Sequence, residues 1–424
     1  MKQASLQIEP LRGVLFDAAK AGPLESLIAP PYDVISPAER AALAARSPHN
    51  VVRLVLPEGE GDARYANAAR QYRDWRASGV LRQDAQPALY RYQQEFAADG
   101  RDHTRTGFIG RVRLRRFDEG VVVPHERTLA APRQDRLKLT RACGAWFSQV
   151  FALYSDPSNA AEAAFAEVAT RPPELEARTP DGAIHRLWRV TDAEMQRRVA
   201  AALSDKRAYI ADGHHRYETM LALREELATE GAQYGPIFLC RMEDPGLLVL
   251  PTHRVVHSLP SFDLPRVLRA AAELFTVEEQ EPAGAAQVRA QLARRGEGAP
   301  TLALASGGKV FLLSLRSDLD LAGALPGPAV LRHLDVTILH ALVLERILGI
   351  DRAAQEKQVN LRYVKDLGQA LREAGEPGVQ AAFLLNPTRV ADLKSVADAG
   401  EVMPQKSTYF FPKLASGLVV QPLD

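Results

Sequence analysis

Cysteine is scarce: Cys143 and Cys240 stand far apart and in no metal-ligand spacing. No disulfide framework and no cysteine zinc centre can be built from such a pair. Long hydrophobic runs are absent too, none reaching the roughly 18 residues that span a bilayer. The opening MKQASLQIEP has no apolar core of the kind a secretory leader carries. Charge of one sign is missing: 53 Lys and Arg face 52 Asp and Glu, a formal net charge of +1. No global basic field therefore draws the chain to nucleic acid or to an anionic membrane. The standard nucleotide signatures are lacking as well, with no G-x-x-x-x-G-K-[ST] and no G-x-G-x-x-G after a strand. The Gly–Gly–Lys of SGGKV has flanks that read as a hairpin, and HERTL is not H-E-x-x-H because Leu129 takes the second histidine's place. These absences leave a soluble, cytoplasmic protein that handles a small molecule, with no nucleic-acid or membrane partner. They leave its oligomeric state unread.

What is present is an ordinary globular composition, 46% hydrophobic and 25% charged over 424 residues. At about 150 residues per domain, that length predicts two or three domains. Strand-like and helical patterns alternate from the start. GVLF and VVRLVL read as strands around the helix SPAERAALAA, where Ser36 is the N-cap, Pro37 sits at N1 and Glu39 completes a capping box. ALYRYQQEF and TGFIGRVRLRRF alternate across AADGRDH, a hairpin. RAYIADG reads as a strand, and YETMLALREELATEG as a helix stopped by Gly231. EEQEPAGAAQ and RRGEGAP are the most loop-like stretches, and LDVTILHALVLERIL is a long apolar helix. The pattern predicts an α+β fold with a mixed central sheet, flanking helices and two lobes. It divides into an N-terminal α/β region over 1–110, a core over 111–260, an inserted or second lobe over 261–330 and a C-terminal α/β region over 331–424.

The chemistry concentrates in ADGHHRYET. A strand that turns at Asp212–Gly213 and starts a helix aims backbone N–H groups, and the positive end of the helix dipole, into the turn. Arg216 adds a permanent cation with a fork of donors, and His214 and His215 add donors that can carry charge. The set suits an anion, foremost a phosphate, with Gly213 letting the backbone approach it. Asp212 fits a metal such as Mg²⁺, or a proton. Adjacent histidines point about 100° apart on a helix, so the two do not share one zinc. PHERT sets Glu126 as a candidate base beside His125 and Thr128, with Arg133, Asp135 and Arg136 close behind. MPQKSTYFFPK offers Lys406, Ser407 and Thr408 as a phosphate or carboxylate grip, its aromatics reading as core. LPTHRVVH adds His253, Arg254 and His257 near an apolar strand.

PPYDVI, PHERT, ADGHHRYET, LPTHRVV and MPQKSTYFFPK occur in this order in a widespread prokaryotic family labelled only as a domain of unknown function, number one thousand and fifteen. The chain resembles that family from Pro30 to Lys413. More distantly, DGHHR is similar to the phosphate-gripping turn of the ParB/sulfiredoxin-like superfamily, some of whose members are free-serine kinases. That resemblance implies a ParB/sulfiredoxin-like core around 110–250. It implies that Gly213, His214, His215 and Arg216 hold phosphates, that Asp212 helps the metal, and that Glu126 is the base. On it the leading expectation is a kinase using Mg²⁺ and ATP or ADP to phosphorylate a hydroxyl such as that of free L-serine. The expected catalytic residues are Glu126, Asp212 and His215. Gly213, His214, Arg216, His125, Thr128, Lys406, Ser407 and Thr408 would hold phosphate or nucleotide, and Arg133 and His253 the substrate. Two alternatives stay open: a phosphate-ester or nucleotide hydrolase, and a non-enzymatic nucleotide-binding sensor or partner-binding protein.

Overall fold

The computed structural model describes residues 5–126, 130–227, 229–281 and 284–423. The chain divides into two units. One comprises Met1–Pro124, Thr128–Leu248 and Pro412–Asp424; the other comprises His125–Arg127 and Val249–Phe411.

The first unit is built on a nine-stranded mixed sheet. Its order runs Val122–Val123, Ala208–Asp212, Val150–Tyr154, Tyr234–Arg241, Arg101–Arg113, Leu89–Ala98, Ile184–Val190 and Leu175–Arg178, with Ile8–Glu9 paired to Arg101–Arg113. The pairs 122–123 with 208–209 and 150–154 with 237–241 are parallel, and the others are antiparallel. The Leu89–Ala98/Arg101–Arg113 hairpin closes on Asp99 and Gly100, at φ 51° and 73°. Two positive φ values are what a two-residue turn needs to match strand twist, and Asp-Gly meets them at low cost. The helix Pro37–Arg46 starts with the reciprocal bonds of its capping box, Glu39 N–H to Ser36 Oγ at 3.3 Å and Ser36 N–H to Glu39 Oε2 at 2.8 Å. The helix Ala130–Cys143 packs against Ala63–Ala77 and His214–Glu226. Tyr217, Met220 and Leu223 of the last helix lie in one buried cluster with Phe108, Ile210, Ile237 and Leu239 of the sheet. Each such side chain contributes about 1.5–3 kcal/mol on burial, which fixes that helix against the sheet behind it.

The second unit is a six-stranded antiparallel sheet, ordered Phe275–Gln280, Lys309–Leu315, Thr301–Ser306, Val379–Leu384, His253–His257 and Leu361–Val364. Alternate residues of each strand face opposite sides. Leu302, Leu304, Phe311, Leu313, Ala381 and Phe383 pack on Leu264–Ala272 and on the long apolar helix around Leu339–Val343. Ala303, Ala305, Val310, Leu312, Ala382 and Leu384 pack on Val288 and Leu292 of Ala285–Gly296 and on Leu367 and Ala370. Both faces are covered, so the central strands Thr301–Ser306, Lys309–Leu315 and Val379–Leu384 are mostly apolar in sequence. The architecture is α+β, with a large mixed sheet and flanking helices.

Three local expectations change. VVRLVL is not a strand: Val52–Val55 is a helical turn, begun where the Asn50 carboxamide accepts the Val52 N–H at 2.9 Å. A short apolar run has no period that separates strand from buried helix. EEQEPAGAAQ is largely ordered as the end of the strand Phe275–Gln280 and the start of the helix Ala285–Gly296. The helix after DGHHR ends at Glu226, and Gly231 instead opens a short 3-10 turn.

Candidate functional site

The strand Ala208–Asp212 ends at Asp212, and Gly213 turns the chain at φ 91° into the helix His214–Glu226. Only glycine adopts that backbone cheaply. Gly213 also supplies no side chain to cap the first-turn N–H groups, which have no acceptor within an α-helix. Arg216 folds back over the turn: a Cβ on Gly213 would sit 2.8 Å from its guanidinium. Glycine is thus needed here for the packing of Arg216 as much as for the approach of a ligand. Arg216 donates to Asp212 Oδ2 at 2.5 Å and to the Gln149 carbonyl, and is 7% exposed. Lys413 bonds the other oxygen, Asp212 Oδ1.

Burial alone would raise the pKa of Asp212, but Lys413 and Arg216 hold its carboxyl well below the ordinary carboxylate range. Two cations on one carboxylate leave the trio a net formal charge of +1. With the helix dipole beside it, the turn favours an anion. Mg²⁺ does not fit this aspartate: both of its oxygens already bond cations, whereas Mg²⁺ needs carboxylate oxygens of its own. Among the described residues no group of three His, Cys, Asp or Glu forms a metal cluster. His214 is buried and its charge acts on Asp212; His215 is half-buried, its carbonyl accepting the Thr219 hydroxyl at 2.7 Å. Arg133 lies on the neighbouring helix, 3.7 Å from Glu218. Arg136 stacks over the Tyr32 ring of PPYDVI at 4.0 Å and, like Arg64, bonds Asp135.

Lys413 was not among the anticipated residues, though its motif was. Its place is set by buried groups that sequence reading passed over. Arg105, fully buried, donates to the Pro412 carbonyl at 2.5 Å and to Gln94, while Gln94 donates to the Lys413 carbonyl at 3.1 Å. An arginine inside the alternating strand TRTGFIG was the available signal.

In the second unit PHERT and MPQKST pair directly. Glu126 bridges Met403 in parallel, the Met403 N–H donates to the His125 carbonyl at 2.8 Å, and the Lys406 N–H donates to Glu126 Oε1 at 3.1 Å. His125, buried, meets Thr408 Oγ1 through Nε2 at 2.9 Å. Ser407 turns inward and donates to the Pro404 carbonyl at 2.5 Å. Lys406 has φ 57°, a left-handed conformation unusual for a side-chain-bearing residue, and its side chain is exposed. Thr128 lies outside the described residues.

Arg254 is the residue that the LPTHRVVH reading undervalued. It is 1% exposed and donates to the carbonyls of Lys406 at 3.1 Å, Gln405 at 3.4 Å and Thr252, and through Nε to His340 Nε2 at 3.2 Å. Burial lowers its pKa to about 10, opposed by the charges of Tyr363 and Glu126. His253, its neighbour on the strand, points the other way: buried, it accepts the Leu385 N–H at Nδ1 (3.2 Å), and burial holds its pKa down at about 4.

A family described as "Protein of unknown function (DUF1015)" matches residues 8–337. The chain belongs to that family. No curated protein matches it. Among solved structures, free serine kinase in complex with AMP is 15% identical with a TM-score of 0.36, covering 69% of this chain and 84% of that one. A conserved hypothetical protein from Pyrococcus furiosus is 16% identical with a TM-score of 0.36, covering 71% and 92%. SbnI with C-terminal truncation, from Staphylococcus aureus, is 13% identical with a TM-score of 0.35, covering 72% and 85%. No helix among the described residues is long and apolar enough to cross a membrane.

Proposed function

We propose that the chain is a nucleotide-dependent small-molecule kinase, moving a phosphoryl group from ATP or ADP to a hydroxyl such as that of free L-serine. The observation that carries the reading is the strand–glycine–helix turn at Gly213, with Arg216 and Lys413 outweighing Asp212. A net positive, largely desolvated turn at the start of a 13-residue helix suits a phosphate. Phosphoryl transfer asks the protein for positioning and charge stabilisation more than for covalent chemistry. In the first unit Gly213, His214, His215 and Arg216 hold the phosphates of the donor, and Arg133 belongs to the substrate side.

In the second unit Glu126 is the base. One of its oxygens is fixed by the Lys406 N–H, and its chain neighbour His125 is bonded to Thr408. The acceptor oxygen bonds the transferred phosphorus as the donor's bridging P–O bond breaks, and the acceptor's proton passes to Glu126. No step is assigned to a metal. The test is a thermal-shift series with ATP, ADP, pyrophosphate and phosphate, because a ligand that binds only the folded chain raises its apparent stability. A nucleotide should shift the transition and Gly213→Ala should abolish the shift. Glu126→Gln should retain the shift and lower turnover at least 100-fold, within the range attributed to a general base. Full turnover in Glu126→Gln overturns the base, and no shift with any phosphate compound overturns the kinase.

A further inference from the structure

The second unit holds a cavity that neither the phosphate turn nor Glu126 uses. It holds about 250 Å³ and is lined by Thr337, His340, Glu345, Arg352, Glu356 and Tyr363, together with residues 403–405. That volume falls below the roughly 300–1,000 Å³ of sites for drug-sized ligands, so it suits a molecule of a few carbons. One wall is the segment Leu339–Ile347, which is π-helical rather than α-helical. Such wide turns cost backbone regularity and recur at functional sites. The Thr337 hydroxyl, shielded from solvent, has no hydrogen-bond partner among the described residues. A threonine in a helix ordinarily satisfies its hydroxyl on a carbonyl one turn back.

The charges of the lining decide the chemistry. Arg352 is already bonded to Glu356, Nε to Oε1 at 3.2 Å. His340 stays neutral, because Arg254 donates into its Nε2 and burial holds its pKa well below the ordinary value. Glu345 has no ion pair among the described residues, so the cavity carries a net negative charge at its rim. We infer that this cavity binds a small organic cation, a primary amine with a short apolar body. The ammonium sits at Glu345 and the apolar body lies against Leu331, Ala341 and Val402. The inference does not depend on the kinase reading, since Glu345, which holds the ammonium, takes no part in it.

Ligand-observed saturation-transfer NMR on the full chain, without nucleotide, tests it with three four-carbon probes: butylamine, butyrate and 1-butanol. Butylamine should bind at least tenfold more tightly than either of the others. Glu345→Gln, an exposed change that leaves folding intact, should remove at least fivefold of that affinity. Equal binding of butyrate or butanol, no binding of butylamine, or unchanged affinity in Glu345→Gln each overturns it. Phosphoryl transfer that fails while butylamine still binds strikes the kinase reading alone.

Discussion

At the residue scale the phosphate turn depends on one torsion and one carboxylate. Gly213 takes φ 91°, and a methyl there would also meet the Arg216 guanidinium at 2.8 Å. Gly213→Ala should therefore lower the stability of the chain by about 1–3 kcal/mol, the usual cost of a residue in an unsuitable backbone region. It should also displace Arg216 from Asp212. Urea unfolding checks the first effect, and an alanine variant as stable as the parent would show that the turn carries no strain. The turn was legible in sequence because it is local: Asp-Gly after an apolar run and before an amphipathic one announces strand, turn and helix. The partners of Asp212 were legible only by half. Arg216 lies four residues away, but Lys413 arrives from 201 residues downstream. Arg105 escaped notice and Arg254 was undervalued for the same reason: a buried arginine on a strand looks like a surface residue until its distant carbonyl acceptors are known.

At the element scale the turn Pro404–Ser407 is held from beneath. Arg254 donates to two of its carbonyls, Ser407 Oγ bonds Pro404, and Thr388 Oγ1 bonds the Ser407 carbonyl at 2.8 Å. These bonds keep Lys406 in its left-handed conformation and aim its N–H at Glu126. Two substitutions separate strain from support. Lys406→Gly relieves the torsion and should change stability by less than about 1 kcal/mol. Arg254→Met strips the buried Thr252 carbonyl and the part-buried Gln405 and Lys406 carbonyls of a donor and should cost about 2–4 kcal/mol, a fully buried orphaned group costing about 1–3 and the part-buried ones less. Thermal unfolding of both variants decides it, and an Arg254→Met chain as stable as the parent would leave the turn without its support. Elements with local signals were readable: the Ser36 capping box, the Asp99–Gly100 hairpin and the strand entering DGHHR. The helical turn Val52–Val55 was not, because the bond that starts it comes from the side chain of Asn50. Sheet order was not readable either, since it is set by which faces bury one another and not by any one segment.

At the scale of the whole molecule, buried titrating groups set the response to pH, and they oppose one another. Burial holds His185 and His253 at about 4 and places His340 well below its ordinary value. Unfolded histidine titrates near 6.5, so the unfolded chain binds more protons than the folded one between about pH 4 and 6.5. Through these groups stability rises with pH across that window. Burial acts the other way on acids, raising Asp335 to about 6 and Glu162 to about 7. Between the unfolded carboxylate range and those values the folded chain binds the extra protons, and stability falls as pH rises. Asp212, held low by its two cations, contributes nothing to this window; its share is lost only below the ordinary carboxylate range. Burial raises Asp244 as well, so three acids oppose the three histidines, and the parent's slope between pH 4.5 and 6.5 is a balance of the two sets. Asp335→Asn isolates one opposing contribution. At pH 4.5 the variant should match the parent. At pH 7.5, where the parent holds a buried charge and the variant does not, the variant should be the more stable, by on the order of 1–3 kcal/mol at about 1.4 kcal/mol per pKa unit. Across that interval its stability should rise with pH relative to the parent's. A variant less stable than the parent at pH 7.5 would mean that the bonds Asp335 makes with Asn386 and Thr301 outweigh the burial of its charge.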